Sequence, residues 1–247
     1  METFKEKFSG YSEYFEHMRK KLFSTAIFFA VSFVCGFFEA GNILKGIISI
    51  FNLGDVSIVT TSPFQFLDLS TKVGLYSGII VCIPVVIYHI YDFIKDGLNK
   101  DEKKLFFILL PSGFTLFLIG FSYCVGILFF YLNSISTINL AFGIKNVWDI
   151  SSFMSQIIIA SLCLGLFFQF PIVLTFLIRM GLLSVDFLRD KRFYAIAMIF
   201  IFVGFLPPPD IFSTLIEALP LVLLYQLTIW INSSYRRTSD IIDVNHD

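Results

Sequence analysis

Charge is scarce in this chain. Asp, Glu, Lys and Arg make up 15% of its 247 residues, against about 25% in a soluble domain. The deficit excludes an ordinary soluble domain, which needs a polar surface around its core. Histidine is rarer still: His17, His89 and His246 fall in different segments. The four cysteines, Cys35, Cys82, Cys124 and Cys163, each stand alone in an apolar run. With no CxxC spacing and no clustered His, neither a zinc site nor a disulfide framework is suggested, and the cysteines read as small buried residues. There is no Gly-rich phosphate loop, no HExxH and no GxSxG, which argues against a hydrolase or a metalloenzyme. The expectation is therefore no metal site. The net charge of −1 gives no bulk attraction to nucleic acid. The opening Met1-Glu2-Thr3-Phe4-Lys5 lacks the pattern of a secretory signal. Glu2, Glu6, Glu13 and Glu16 do not suit a transit peptide, so the chain is expected to begin as synthesised.

What is abundant is apolar sequence. Hydrophobic residues make up 56%, Phe alone contributes 32 residues, and the mean hydropathy is +0.80. Charge-poor runs occupy 22–38, 73–91, 105–132, 153–178, 193–206 and 211–231. A helix needs about 20 residues to cross the bilayer, and backbone groups in lipid must be satisfied within the segment. The alternating ten-residue segments of a β-barrel are missing. The reading is all-α: one polytopic membrane domain over 1–232 with six transmembrane helices, then a polar tail, 233–247, expected to be mobile. Spans five and six are expected to be short. The fifth is stopped by Pro207-Pro208-Pro209-Asp210, and the sixth is interrupted by Glu217 and Pro220.

Orientation follows from the basic residues. Fifteen fall in the N-terminal segment, the loop after span two, the edge and loop after span four, and the C-terminal tail. Only Lys45, Lys72 and Lys145 fall on the opposite side. Positive charge marks the side of synthesis, so both termini are placed on the cytoplasmic or matrix side.

The chemistry-bearing candidates are few. Glu217, Gln156, Gln169 and Gln226 lie inside apolar runs, with Glu102 and Asp210 at span edges. An ionisable group within a span is a functional candidate by default; Glu217 has the competing reading of reaching the far interface. Gln169, two residues before Pro171, can bond a neighbouring helix of the fold or a partner helix.

Several strings, in order, resemble the TatC family of the twin-arginine protein translocase. Tyr14-Phe15-Glu16-His17-Met18-Arg19-Lys20-Lys21-Leu22 resembles the family's HLxELRxRL. Ser62-Pro63-Phe64-Gln65-Phe66 resembles Pro-x-Glu-x-Phe. Phe93-Ile94-Lys95-Asp96-Gly97-Leu98 resembles FxxPGL, and Asp101-Glu102-Lys103-Lys104 the acidic–basic string after it. Gly165-Leu166-Phe167-Phe168-Gln169-Phe170-Pro171 resembles GxxFExP. Gly181-Leu182-Leu183-Ser184 and Pro208-Pro209-Asp210-Ile211-Phe212-Ser213 match later motifs. The departures are specific: His17, Gln65, Gln169 and Gln226 stand where the family carries glutamate, Asp96 where it carries proline, and Pro207 where it carries threonine.

The resemblance implies a receptor, not an enzyme and without a cofactor, in a system that exports folded proteins under the proton-motive force. It implies a signal-peptide patch of Glu102, Glu16, Arg19, Phe93 and Lys100. Glu102 is the favoured carboxylate, because adjacent arginines are best met by a carboxylate in bidentate geometry. Gln169, Gln226 and Pro171 would contact single-span TatA- or TatB-type partners, and Pro208, Pro209 and Asp210 would hold the span five–six turn. Twin-arginine precursors, the lipid bilayer and further copies of the chain complete the implied partners. The mitochondrial inner membrane is favoured by the lost carboxylates and by the Phe and Ile excess of an AT-rich genome. A bacterial plasma membrane or plastid thylakoid is the alternative. The competing class is a proton- or ion-conducting subunit, such as an ATP-synthase a-type subunit. It would need an arginine deep in a late span, and Arg179 sits at an edge.

Overall fold

The computed structural model describes the backbone of residues 2–51, 56–94 and 100–244, and the side chains of 19–51, 56–89, 92, 109 and 111–233. The elements in order are α1 (Glu2–Phe51), β1 (Val56–Val59), α2 (Gln65–Ile94), α3 (Lys100–Ala141), β2 (Asn146–Asp149), α4 (Ile150–Phe167), α5 (Phe170–Arg179), α6 (Val185–Asp190), α7 (Arg192–Gly204) and α8 (Ile211–Val244). They divide into two compact units, Met1–Asn52 with Thr60–Gly97, and Leu53–Val59 with Leu98–Asp247.

In the first unit α1 and α2 run antiparallel, and small residues set their separation. A Cβ on Gly36 would lie 2.6 Å from the Cβ of Ser77. One on Gly74 would lie 2.7 Å from the Phe33 carbonyl oxygen, and one on Gly78 would lie 2.7 Å from the Phe29 ring. Lipid supplies no hydrophobic drive between spans, so such close backbone approach is a main source of association. Phe29, Phe33 and Phe37 stack at 6.4 Å intervals along α1. The Lys21 ammonium pairs with Asp92 at 2.7 Å.

In the second unit the same device joins α3 to α4. A Cβ on Gly120 would lie 2.6 Å from Phe168, and one on Gly165 would lie 2.9 Å from Phe117. Two short strands, unseen in the sequence, pair in parallel, with Val56 opposite Asn146 and Val59 opposite Asp149. Buried Asn146 anchors them. Its amide donates to the carbonyl and hydroxyl oxygens of Ser136, both at 3.0 Å, and its Oδ1 accepts from the Asn139 amide at 2.8 Å. Helices α3 and α5 end alike. Gly143 (φ 74°) and Gly181 (φ 72°) take the left-handed conformation. The next residue, Ile144 or Leu182, returns its N–H to a carbonyl five residues back, which satisfies the last carbonyls of the helix.

The helices outrun the apolar runs. Among the described residues five are long and apolar enough to cross a membrane: Arg19–Phe51, Gln65–His89, Pro111–Ala141, Ile150–Arg179 and Ile211–Ser233, and Arg192–Gly204 is a shorter apolar helix. The expectation of two short final spans therefore holds for the fifth and needs correcting for the sixth. Pro220 does not interrupt α8. Proline has no N–H for the carbonyl four residues earlier. That carbonyl, on Ile216, instead accepts the Tyr123 hydroxyl at 3.0 Å, and the helix continues. Beyond the apolar run the helix also extends into the polar tail, as far as Val244. Span four is where a break does occur. Pro171 lies at the start of α5 and cannot pair with the Phe167 carbonyl, so α4 stops there.

Candidate functional site

The side chains of Glu16, Phe93, Lys100 and Glu102 lie outside the described residues, so the structure gives no geometry for most of the expected signal-peptide patch. Of that set only Arg19 is described, and it is exposed on α1.

The expected partner-contact residues are better defined. Gln169 occupies the turn between α4 and α5. Its Nε2 donates to the Gly113 carbonyl at 3.0 Å and more weakly to Gly165 at 3.5 Å. Gly113 makes this possible: a Cβ there would sit 3.0 Å from the Gln169 Oε1. The amide thus ties α3 to the broken span. Gln226 is half-buried on α8, and among the described residues no hydrogen bond joins it to Gln169.

Helices α5, α6 and α8 are locked by polar contacts at the end of the bundle where Arg179 lies. The hydroxyl of Tyr225, 2% exposed, donates to the Leu188 carbonyl at 2.8 Å. The Asn232 amide donates to the Thr228 carbonyl at 2.8 Å and to the Thr175 hydroxyl at 3.2 Å, while its Oδ1 accepts from Arg179 Nε at 3.3 Å. Helix α6 is capped by Ser184, whose Oγ accepts from the Phe187 N–H at 3.1 Å. An apolar cavity of about 390 Å³ opens beside this corner, lined by Phe170, Pro171, Lys191, Tyr194, Met198 and Tyr225 among others. Pro171 is thereby on the cavity wall. Sequence reading gave Tyr225 and Asn232 no role; the signal that could have found them is a Tyr and an Asn seven residues, two turns, apart on one face of an apolar helix.

At the opposite end of α8, Asp210 caps the helix. Its Oδ1 accepts from the Ser213 N–H at 2.9 Å, and its carbonyl accepts both the N–H of Thr214 at 3.0 Å and its hydroxyl at 2.7 Å. The Asp210 N–H donates to the Pro208 carbonyl at 2.9 Å, which closes the proline turn. Burial works to raise the Asp210 pKa. The donors around it outweigh burial: the Ser213 N–H and hydroxyl, the Tyr131 hydroxyl and the Phe212 N–H. The carboxyl is held below its ordinary range. A negative charge here also suits the positive end of the helix dipole.

Glu217 does not reach the interface. It is 1% exposed, and its Oε1 has no hydrogen-bond partner among the described residues. Its neighbours on α3 are Tyr123 and Cys124. Among the described residues no cluster of His, Cys, Asp or Glu is arranged to hold a metal ion.

The family model described as Sec-independent protein translocase protein (TatC) matches residues 13–220. A curated TatC of Halalkalibacterium halodurans is 28% identical over 93% of this chain and 91% of its own length. The TatCy protein of Bacillus subtilis is 29% identical, over 91% and 89%, and the Escherichia coli TatC is 29% identical, over 88% and 86%. Among solved structures, a twin-arginine translocase receptor TatC aligns with a TM-score of 0.72, at 26% identity over 89% of this chain and 97% of the other. The same receptor crystallised in DDM aligns with a TM-score of 0.75, over 88% and 98%.

Proposed function

Since the chain belongs to the TatC family of Sec-independent protein translocases, we propose that it is the receptor subunit that binds twin-arginine signal peptides and nucleates the assembly that moves folded proteins across the membrane under the proton-motive force. The observation that carries this reading is the joint match of sequence and fold: the family model spans 13–220, and the fold superposes on a twin-arginine receptor over nearly its whole length. The chain is an integral membrane transport component and not an enzyme. The reading places both termini on the cytoplasmic or matrix side, where the basic residues gather.

Recognition follows from charge geometry. Paired arginines offer two rigid planar forks, each suited to one carboxylate. Glu102 would supply the first and Glu16 the second, with Phe93 lining the patch and Arg19 and Lys100 part of it. TatA- or TatB-type helices would dock on the surface that carries Gln169, Pro171 and Gln226, of which Pro171 lines the apolar cavity. The bond from Gln169 to Gly113 supports the shape of that surface rather than direct contact. Several copies would combine in the working complex. The mitochondrial inner membrane is the favoured location, supported by the 32 Phe residues and by the glutamates replaced at His17, Gln169 and Gln226.

The test is binding of a fluorescent signal peptide to the full chain reconstituted in vesicles. The twin-arginine peptide should bind, its twin-lysine version should bind less, and Glu102→Gln should weaken the first while leaving the protein inserted. Equal binding of both peptides to both proteins would overturn the assignment. The ion-conducting alternative needs an arginine deep in a late span. Arg179 instead sits in the last turn of α5, bonded to Asn232.

A further inference from the structure

Glu217 has no role in the scheme above, yet it stands where an acid is costly. It shares a face of α8 with Ser213, one turn earlier, and each is 1% exposed. On α3, Tyr123 and Cys124 lie within electrostatic reach of its carboxyl. On α4, Ser161 is fully buried beside Cys124, and its hydroxyl has no hydrogen-bond partner among the described residues. Packing does not call for the acid, because Tyr123 already satisfies the carbonyl freed by Pro220.

The polar groups continue outward. Ser213 gives its N–H to the Asp210 Oδ1 at 2.9 Å, its hydroxyl and that of Tyr131 lie close to the same carboxylate, and the Asp210 Oδ2 is buried with no hydrogen-bond partner among the described residues. Asp210, Ser213 and Glu217 thus step along α8, with Tyr131 and Tyr123 beside them on α3. This seam runs inward from the proline turn, roughly 10 Å along the helix axis from Asp210 to Glu217. A buried carboxyl oxygen without a partner is costly in an apolar interior, and ionisable groups inside spans mark ion or proton paths. Among the described residues no Lys or Arg pairs with Glu217. The titratable groups that face it are Tyr123 and Cys124 from α3 and Asp210 from the head of its own helix; from α4, Cys163 faces Cys124.

We propose that this seam takes up water from the aqueous phase at the turn between α7 and α8, and that Glu217, at its inner end, is a proton-exchange site open to that side of the membrane. The exchange is a proton passing from hydronium to a carboxylate oxygen and back to water, with no other bond changed. The inference rests on the chain spanning a membrane and not on what the receptor binds.

The test uses the full chain in vesicles and a small, permanently charged methanethiosulfonate reagent added from one side at a time. In one protein Cys35, Cys82 and Cys163 are replaced by Ala, which leaves native Cys124 beside an intact Glu217. In a second, all four cysteines are replaced and Glu217→Cys is introduced. Leu219→Cys and Leu223→Cys, at positions 58% and 60% exposed on the outside of α8, report the rate at a lipid-facing site. Reaction of Cys124, or of the Glu217→Cys thiol, from the Asp210 side should be about tenfold or more faster than these controls, because a charged reagent is excluded from hydrocarbon but not from a hydrated seam. Control rates at both positions, or reaction only from the opposite side, would overturn the proposal.

Discussion

At the scale of single residues, one hydroxyl decides whether the last span stays whole. Pro220 leaves the Ile216 carbonyl without a partner, and Tyr123 supplies it. Tyr123→Phe strands that carbonyl and should lower stability by about 1–3 kcal/mol. Pro220→Ala restores the helical N–H, so adding Tyr123→Phe to it should cost markedly less. A thermal-unfolding cycle of the four proteins in detergent measures this coupling; strictly additive losses would refute it. Asp210 gives a prediction in pH. Its carboxyl is held below the ordinary range because hydrogen bonds from Ser213, Tyr131 and Phe212 outweigh burial. A folded pKa below the unfolded one means the stabilisation is fully present above about pH 4, the ordinary carboxylate value, and is lost as pH falls through the lower folded value. Asp210→Asn should therefore reduce the melting temperature at neutral pH and remove this group's share of the acid sensitivity below pH 4; an unchanged stability–pH curve would contradict it. Little of this was legible beforehand. The sequence shows a proline in span six but not which hydroxyl answers it, because Tyr123 and Ile216 are 93 residues apart.

At the scale of helices, glycine is the determinant of packing. A Cβ at Gly120 would fall 2.6 Å from buried Phe168, and one at Gly36 would fall 2.6 Å from Ser77, whereas Gly46 and Gly126 meet nothing within 4 Å. Gly120→Ala and Gly36→Ala should each destabilise the protein by about 1–3 kcal/mol, the usual cost of overpacking. Gly46→Ala and Gly126→Ala, in helix interiors, should be neutral or stabilising by up to about 1 kcal/mol. Melting temperatures of the four variants in one detergent separate the two classes, and equal effects would show that close approach is not what these glycines provide. The apolar runs fall on the long apolar helices, because burial in lipid leaves the backbone no other choice, but they missed the short α6 and read α4 and α5 as one span. They did not locate helix ends. Polar residues at the membrane surface continue the helix, so α1 passes through Glu39 and Lys45 and α3 passes through Asn133 and Ser134. The β1–β2 pair escaped because four-residue strands joined across 90 positions leave no periodic signal.

At the scale of the whole molecule, the family was readable because many weak strings occur in one order, and the comparisons bear that reading out. The site was less readable. The substitutions at Gln169 and Gln226 pointed to an altered surface, but only the fold shows that Gln169 bonds within the bundle while Gln226 makes no bond to it. The glutamate in span six, which the sequence offered either as an interface residue or as a functional one, lies buried on α8 beside Tyr123 and Cys124 of α3. The account as a whole depends on a receptor for paired arginines, and site-specific photocrosslinking from position 102 to a twin-arginine precursor in native membranes tests this most directly. The account predicts a crosslink that disappears when the two arginines become lysines. A correctly inserted protein that gives no crosslink, or one indifferent to that exchange, would contradict it.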